Sequence, residues 1–356
     1  MKRIFVFLLV LAEFITLFGC GEKETLEPIS SSPSVSRMVS DSSPLETNQS
    51  AAVCMGSISH PVHRIVQLGF MEKAEELGYE GHILGLVEGT TQQLQNEWLL
   101  GAKKYDIDGA AFWVGDDASY GIIKELHGRG VKTVAMFPHD YWTAKDFIDV
   151  TVHSDWRQAV LDAGYDLMNR LHETDVLSGE IGFSLAGPGP TFDEIISLYS
   201  YLETYYPQYD ILNCVYPGAE KESAANKVAE YITSHPNMVG AFGMTGYSAE
   251  AWASAKAETG REDIIVVAMD YTPENLEVLQ DGGVDALICR PLYEEGAASM
   301  DLIDRLLNGQ VFNQSEDTWW QRSQTYFIRR DGEGINGVDR YFDMYKRAEM
   351  RFGPLQ

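Results

Sequence analysis

From Ala51 onward, short apolar runs alternate with longer amphipathic segments, and this alternation constrains the fold more than any other feature of the chain. A strand followed each time by a helix has no hairpin partner, so successive strands pair in parallel through helical crossovers. The first strand is Ala51-Ala52-Val53-Cys54-Met55-Gly56. A helix is predicted from about Pro61, with Ile65, Leu68, Phe70, Ala74 and Leu77 as its apolar stripe and Gly78 as its stop. Strand His82 to Leu86, helix Thr91 to Tyr105, strand Gly109 to Val114, helix Tyr120 to His127 and strand Lys132 to Phe137 follow. Together they make one α/β lobe.

The pattern then restarts with a short crossing segment, Val150 to His153, and a helix, Trp156 to His172. Strands Glu180 to Leu185, Tyr209 to Val215, Val239 to Met244 and Ile264 to Met269 alternate with helices Phe192 to Tyr205, Glu220 to Ser234 and Ala249 to Thr259. A last strand, Ala286 to Cys289, and the helix Glu294 to Leu307 return the chain toward the first lobe. The tail from Gln310 carries Trp319, Trp320, Tyr326, Phe327, Tyr341, Phe342 and Tyr345, and is expected to pack on the second lobe. The fold class is α/β, with two similar Rossmann-like lobes, each a parallel sheet flanked by helices. A chain of 356 residues also exceeds what one compact core holds.

At the N-terminus Lys2 and Arg3 precede a mostly apolar run, Ile4 to Phe18, too short for a comfortable membrane span, which reads as an export signal. It closes on Leu17-Phe18-Gly19-Cys20, which resembles the bacterial lipobox, with a bulky Phe18 where a small residue is usual and with Glu13 inside the apolar run. The resemblance implies a signal over residues 1–19 and a lipid on Cys20; an ordinary secretory signal with an incidental cysteine is the alternative. Residues 20–50, rich in Ser, Glu, Pro and Thr, form a flexible tether too polar to bury a core. The first lobe is assigned residues 51–150 plus about 291–320, and the second 151–290 plus about 321–356.

A net charge of −26 disfavours phosphate-backbone partners and argues against nucleic acid. Cys54, Cys214 and Cys289 sit in apolar, strand-like runs and read as buried hydrophobes, with no metal-cluster spacing. The chain has no G-x-S-x-G elbow, no phosphate-cradling G-x-x-x-x-G-K-[ST] and no His-Glu-x-x-His, so no reaction is expected. Gly187-Pro188-Gly189-Pro190 is glycine-rich, but its prolines remove N–H donors a phosphate loop needs.

Several segments together resemble the ribose/galactose-type periplasmic binding proteins, relatives of the sensor halves of LacI-like repressors. They are Gly56-Ser57-Ile58-Ser59-His60-Pro61, Gly69-Phe70 with Ala74 and Gly78-Tyr79, and Asp106-Ile107-Asp108-Gly109. Val266-Val267-Ala268-Met269-Asp270 with Thr272-Pro273, and Ile288-Cys289-Arg290-Pro291, complete the set. The resemblance spans about Ala51 to Gly309. It implies two lobes joined by a multi-strand hinge, a small sugar-like ligand held between them without a cofactor, and a monomer that serves an ABC permease. A ligand-sensing subunit for a histidine kinase or chemoreceptor is the alternative partner assignment.

The resemblance also implies that loops after the strands line the cleft, since parallel strands deliver their C-terminal ends to one edge. His60 and His63 stand where relatives bond and stack on a sugar; exposed loop histidines are the plainer reading. Trp113 ends strand three and suits either a sugar face or the core. Phe137 ends strand four, and His139 and Asp140 follow where many relatives carry an Asp-Arg pair. Thr245 replaces an asparagine, and an arginine of relatives is missing around Ser197-Leu198-Tyr199. Asp270 ends a buried strand, where a carboxylate accepts from two vicinal hydroxyls. Arg290 either binds a carboxylate or hydroxyls, or pairs with Asp270. These departures favour a sugar derivative, polyol or furanose over unmodified ribose or galactose. His60, His63, His139, Asp140 and His153 could otherwise gather around a metal.

Overall fold

The computed structural model describes residues 49–114, 117–136, 141–154, 156–185, 190–218, 221–312, 320–323 and 326–354. The expected signal, Cys20 and most of the tether lie outside these residues, as do Phe137, His139 and Asp140. The first sheet contains β1 (Ser50–Cys54), β2 (Glu80–Leu84), β3 (Gly109–Trp113), β4 (Lys132–Met136) and β5 (Val150–Ser154). The second contains β6 (Gly179–Ser184), β7 (Tyr209–Ile211), β8 (Met238–Gly243), β9 (Ile265–Met269) and β10 (Ala286–Cys289). The tail adds β11 (Trp320–Ser323) to the first sheet and β12 (Tyr326–Ile328) to the second. The strand orders are β11-β5-β4-β3-β1-β2 and β12-β10-β9-β8-β6-β7. All pairings are parallel except that of β12 with β10.

Val150–Ser154 is thus not a crossing segment. It hydrogen-bonds in parallel to β4 and is the fifth strand of the first sheet. Its first and third residues, Val150 and Val152, are buried among Val134 and Met136. The chain passes between the sheets after β5, after β10 and between β11 and β12, which gives three connections at the hinge.

The helices are α1 (Pro61–Leu77), α2 (Thr91–Lys104), α3 (Tyr120–Gly128), α4 (Tyr141–Ala144), α5 (Trp156–Glu173), α6 (Pro190–Tyr205), α7 (Lys221–Ser234), α8 (Ser248–Thr259), α9 (Pro273–Gln280), α10 (Leu292–Leu307) and α11 (Val338–Phe352). Sequence periodicity missed α9, although its start signals are present. Pro273 occupies the first helical position, and the Thr272 side chain caps the Asn275 amide at 3.2 Å.

After β10 the chain does return to the first lobe, where α10 packs against α1 and β3 to β5. The two helices approach backbone to backbone through Gly69 and Gly296. A Cβ on Gly69 would collide with the carbonyl of Tyr293, and one on Gly296 with the carbonyl of Val66.

The tail helix α11 differs from expectation. Val338, Tyr341, Met344, Tyr345 and Ala348 form one buried face, and the helix packs on both α1 and α9 instead of on the second lobe alone. Arg347 donates to both carboxylate oxygens of Glu72 on α1 (2.9 and 2.8 Å), and Arg351 to Glu75 (3.0 Å). Arg340 pairs with Glu294 of α10. Toward the second lobe the contact is aromatic, with Tyr271 at 4.7 Å from the ring of Tyr341.

Replacing Gly69 by Ala should force α1 and α10 apart and cost about 1–3 kcal/mol, as overpacking does. Gly121→Ala on α3, where the new Cβ meets nothing within 4 Å, should instead leave stability unchanged or raised by up to about 1 kcal/mol. Urea melts of the two variants beside the parent check the pair; equal effects would remove the close-approach argument.

Candidate functional site

A cavity of about 480 Å³ is lined by His60 and Pro61 from the start of α1 and by second-lobe residues that include Thr245, Tyr247, Asp270 and Glu274. Its volume falls within the range of small-molecule sites. Of the residues singled out from sequence, His60, Thr245 and Asp270 therefore meet on one cavity. His63, Trp113 and Arg290 form a stack that adjoins it. The His60 and His63 rings are 4.9 Å apart, His63 and Trp113 4.6 Å, and the Arg290 guanidinium lies 5.3 Å from the centre of the Trp113 ring.

Asp270 follows β9 with φ of 67°, in the left-handed region that non-glycine residues adopt at a cost. Its N–H donates to the carbonyl of Ile288 at 3.0 Å. The fully buried amide of Asn275 donates to the carbonyls of Gly246 (2.8 Å), Met269 (3.1 Å) and Asp270 (3.3 Å). One side chain on α9 thus ties the loop after β8 to the loop after β9. Burial pushes the Asp270 carboxyl above the usual carboxylate range, opposed by Arg290 and His60. Gly246 leaves room for that carboxylate, since a Cβ there would sit 3.3 Å from Asp270 Oδ2.

Thr245 is buried, and its carbonyl accepts from Ser248 Oγ at 2.6 Å, which folds the loop into the first turn of α8. The Tyr247 hydroxyl donates to the carbonyl of Gly218. Arg290 lies 3.6 Å from Glu295, a carboxylate with no solvent exposure on α10, and also feels Asp270. The ion pair is thus with Glu295, a partner that sequence did not suggest, where the sequence reading named Asp270. A glutamate in the first turn of an amphipathic helix carries no outward sign of being buried. In the segment Ser197-Leu198-Tyr199, Tyr199 is a core residue with no exposure, stacked on Phe242 at 4.2 Å.

His63 Nδ1 lies 2.8 Å from the carbonyl of Ser57, so Nδ1 carries the proton and Nε2 is left as an acceptor. Burial, helped by the charges of His60 and Arg290, lowers its pKa to about 4. Burial also lowers that of His60, against the pull of Asp270. Among the described residues no three His, Cys, Asp or Glu side chains gather in a metal-binding group. His139, Asp140 and the side chain of His153, on which the metal alternative depends, lie outside the description.

The His63 geometry fixes the sign of a pH effect. Between about pH 6.5 and pH 4 an unfolded imidazole takes up a proton that the folded one refuses, so unfolding is favoured as pH falls through this window. In melts at pH 7 and pH 4.5, His63→Gln, which cannot be protonated, should lose less stability than the parent. An equal loss would show that His63 is not buried in neutral form.

Residues 51–310 match the family described as periplasmic binding protein domain. The ribose import binding protein RbsB of Salmonella typhimurium is 19% identical over 277 residues, which cover 73% of this chain and 85% of that protein. Among solved structures, AraP, an arabinose binding protein from Geobacillus stearothermophilus, superposes with a TM-score of 0.70 at 14% identity, covering 82% of this chain and 99% of AraP. A solute binding protein of an ABC transporter from Agrobacterium vitis, bound with α-D-tagatopyranose, gives 0.69 at 17% identity, covering 82% and 98%. With two parallel sheets, three connections between them and a cavity reached by loops of both, the chain belongs to the periplasmic binding protein family, which binds solutes and catalyses no reaction.

Proposed function

We propose that this protein captures a small, uncharged, polyhydroxylated molecule, a sugar derivative, polyol or furanose, and presents it to an ABC importer. The observation that carries this reading is the meeting of His60 from one lobe with Thr245 and Asp270 from the other on one cavity. Asp270 accepts from paired hydroxyls, the buried loop of Thr245 adds hydrogen-bonding groups, and His60 reaches in from across the cleft. Closure of two lobes removes the ligand from water, where each of these bonds counts for more.

Charge narrows the class. Among the described residues, Asp270, Glu250 and Glu274 line the cavity and no Lys or Arg does, while the charge of Arg290 is opposed by Glu295 and Asp270. A carboxylate-bearing sugar acid would meet like charge there. Ribose, arabinose and tagatopyranose, the molecules named for the relatives, are all neutral. Export with a lipid on Cys20, a tether that ends where β1 begins at Ser50, and a monomeric body belong to the same reading. They rest on the N-terminal sequence pattern and on the exported family.

A thermal-melt screen against neutral sugars, polyols and sugar acids tests it. A ligand at a hundred times its dissociation constant adds about 2.7 kcal/mol, which moves the midpoint by degrees. A shift with a neutral polyol or sugar is expected; shifts confined to sugar acids would overturn the charge argument. Asp270→Ala should weaken the compound found by at least roughly tenfold, given about 1.5–3 kcal/mol for a charge-assisted bond. Asp270→Gly should weaken binding as well, yet raise stability by up to about 1 kcal/mol because glycine adopts φ of 67° freely. Retained binding in both would remove Asp270 from the site.

A further inference from the structure

A second cavity, of about 420 Å³, lies where α1, the start of α9 and α11 meet. Its exposed lining carries Glu277, Lys346 and Glu349, with Phe342 and the buried Tyr345 as apolar surface. Arg64 of α1 lines it too, and is only 8% exposed. Its polar contacts are few. Nη1 reaches the carbonyl of Gly353 at 3.4 Å, long for such a bond, and the guanidinium sits 5.7 Å from the centre of the Phe352 ring. Nε is buried with no hydrogen-bond partner.

Along the α1–α11 contact, Glu72 is matched by Arg347 and Glu75 by Arg351. Arg64 is different: among the described residues no carboxylate lies within ion-pair distance of it. Burial alone depresses its pKa, with no acid pulling it back. A guanidinium stays charged in proteins, and a buried charge without a counter-charge is costly. Such a group beside a cavity of small-molecule size is what an oxyanion requires, because its planar donors match a carboxylate fork.

We propose that this cavity is a second binding site, distinct from the cleft at Asp270, and that it takes a small molecule bearing a single carboxylate, held by Arg64. Glu277 and Glu349 against Lys346 leave the exposed lining net negative, which opposes a multiply charged anion such as phosphate more than a single carboxylate. Because α1 belongs to the first lobe and α9 to the second, an occupant touches both lobes at once.

The test is a melt and calorimetric titration of the purified protein with acetate, propionate and inorganic phosphate at constant ionic strength. Acetate or propionate should raise the melting midpoint saturably, and phosphate should do so less. Arg64→Met should lose the response and, without carboxylate, be at least as stable as the parent, as when a buried charge gives way to an apolar chain. Arg64→Lys, which keeps the charge and loses the fork, should bind about tenfold more weakly. Asp270→Ala should respond like the parent, separating this site from the cleft. No response in the parent, an equal response in Arg64→Met, or phosphate exceeding both carboxylates would overturn the proposal.

Discussion

The carbonyls of Gly246, Met269 and Asp270 all accept from one amide nitrogen, that of Asn275, and the second-lobe wall of the cleft depends on this bond set. Strand ends are where backbone groups run out of ladder partners, and a buried carbonyl left without a donor is costly. Asn275 supplies the donor from inside α9, whose first turn is fixed by Thr272 and Pro273. With the carbonyl of Asp270 drawn toward that amide and its N–H bonded to Ile288, the residue is held at a positive φ it would otherwise leave. Its carboxylate consequently points past Gly246 at the cavity. Sequence, capping and strain act on one another here within a handful of residues.

The same locality explains how much of the molecule was legible in its sequence. The strand that includes Ala51, Ala52, Val53 and Cys54 is buried on both faces, and a continuous apolar run is what such a strand requires. Gly78, left-handed at φ of 80°, ends α1 where the apolar stripe stops. Segments whose structure is imposed by neighbours were not legible. Trp320–Ser323 has no apolar run of its own and is a strand because it pairs with β5. Val150–Ser154 read as a connection because His153 and Ser154 dilute its apolar character. The tail helix looked like a cover for one lobe, since nothing in its heptad-like stripe tells that its arginines find Glu72 and Glu75 on the other.

For the site, position in the chain was informative and chemistry was less so. Loops that follow parallel strands reach one edge whatever their residues, so the family resemblance pointed by position to His60, Thr245 and Asp270, which line one cavity. Whether a side chain faces the cavity, the core or a buried partner depends on rotamers and neighbours that order does not encode. Trp113 meets His63 and Arg290, and Arg290 meets Glu295, a group buried from a helix that looks amphipathic. Asn275 and Glu295 were passed over because a polar residue inside a helix is ordinarily solvent-facing.

This division between backbone and side chain also accounts for what the relatives share with the chain. TM-scores of 0.70 and 0.69 at 14% and 17% identity mean that two parallel sheets and their crossovers persist while most side chains change. The constraint on the scaffold is periodic burial, which many apolar residues satisfy equally well. The constraint on the cleft is the placement of a few donors and acceptors, and one substitution can remove it. Tyr199 illustrates the scaffold side: it is a fully buried phenol stacked on Phe242 inside the second core, a place that other large apolar side chains could fill. Among the described residues, Asp270, Glu250 and Glu274 are the charged groups that line the cavity, and they are what a ligand of the proposed class would meet there.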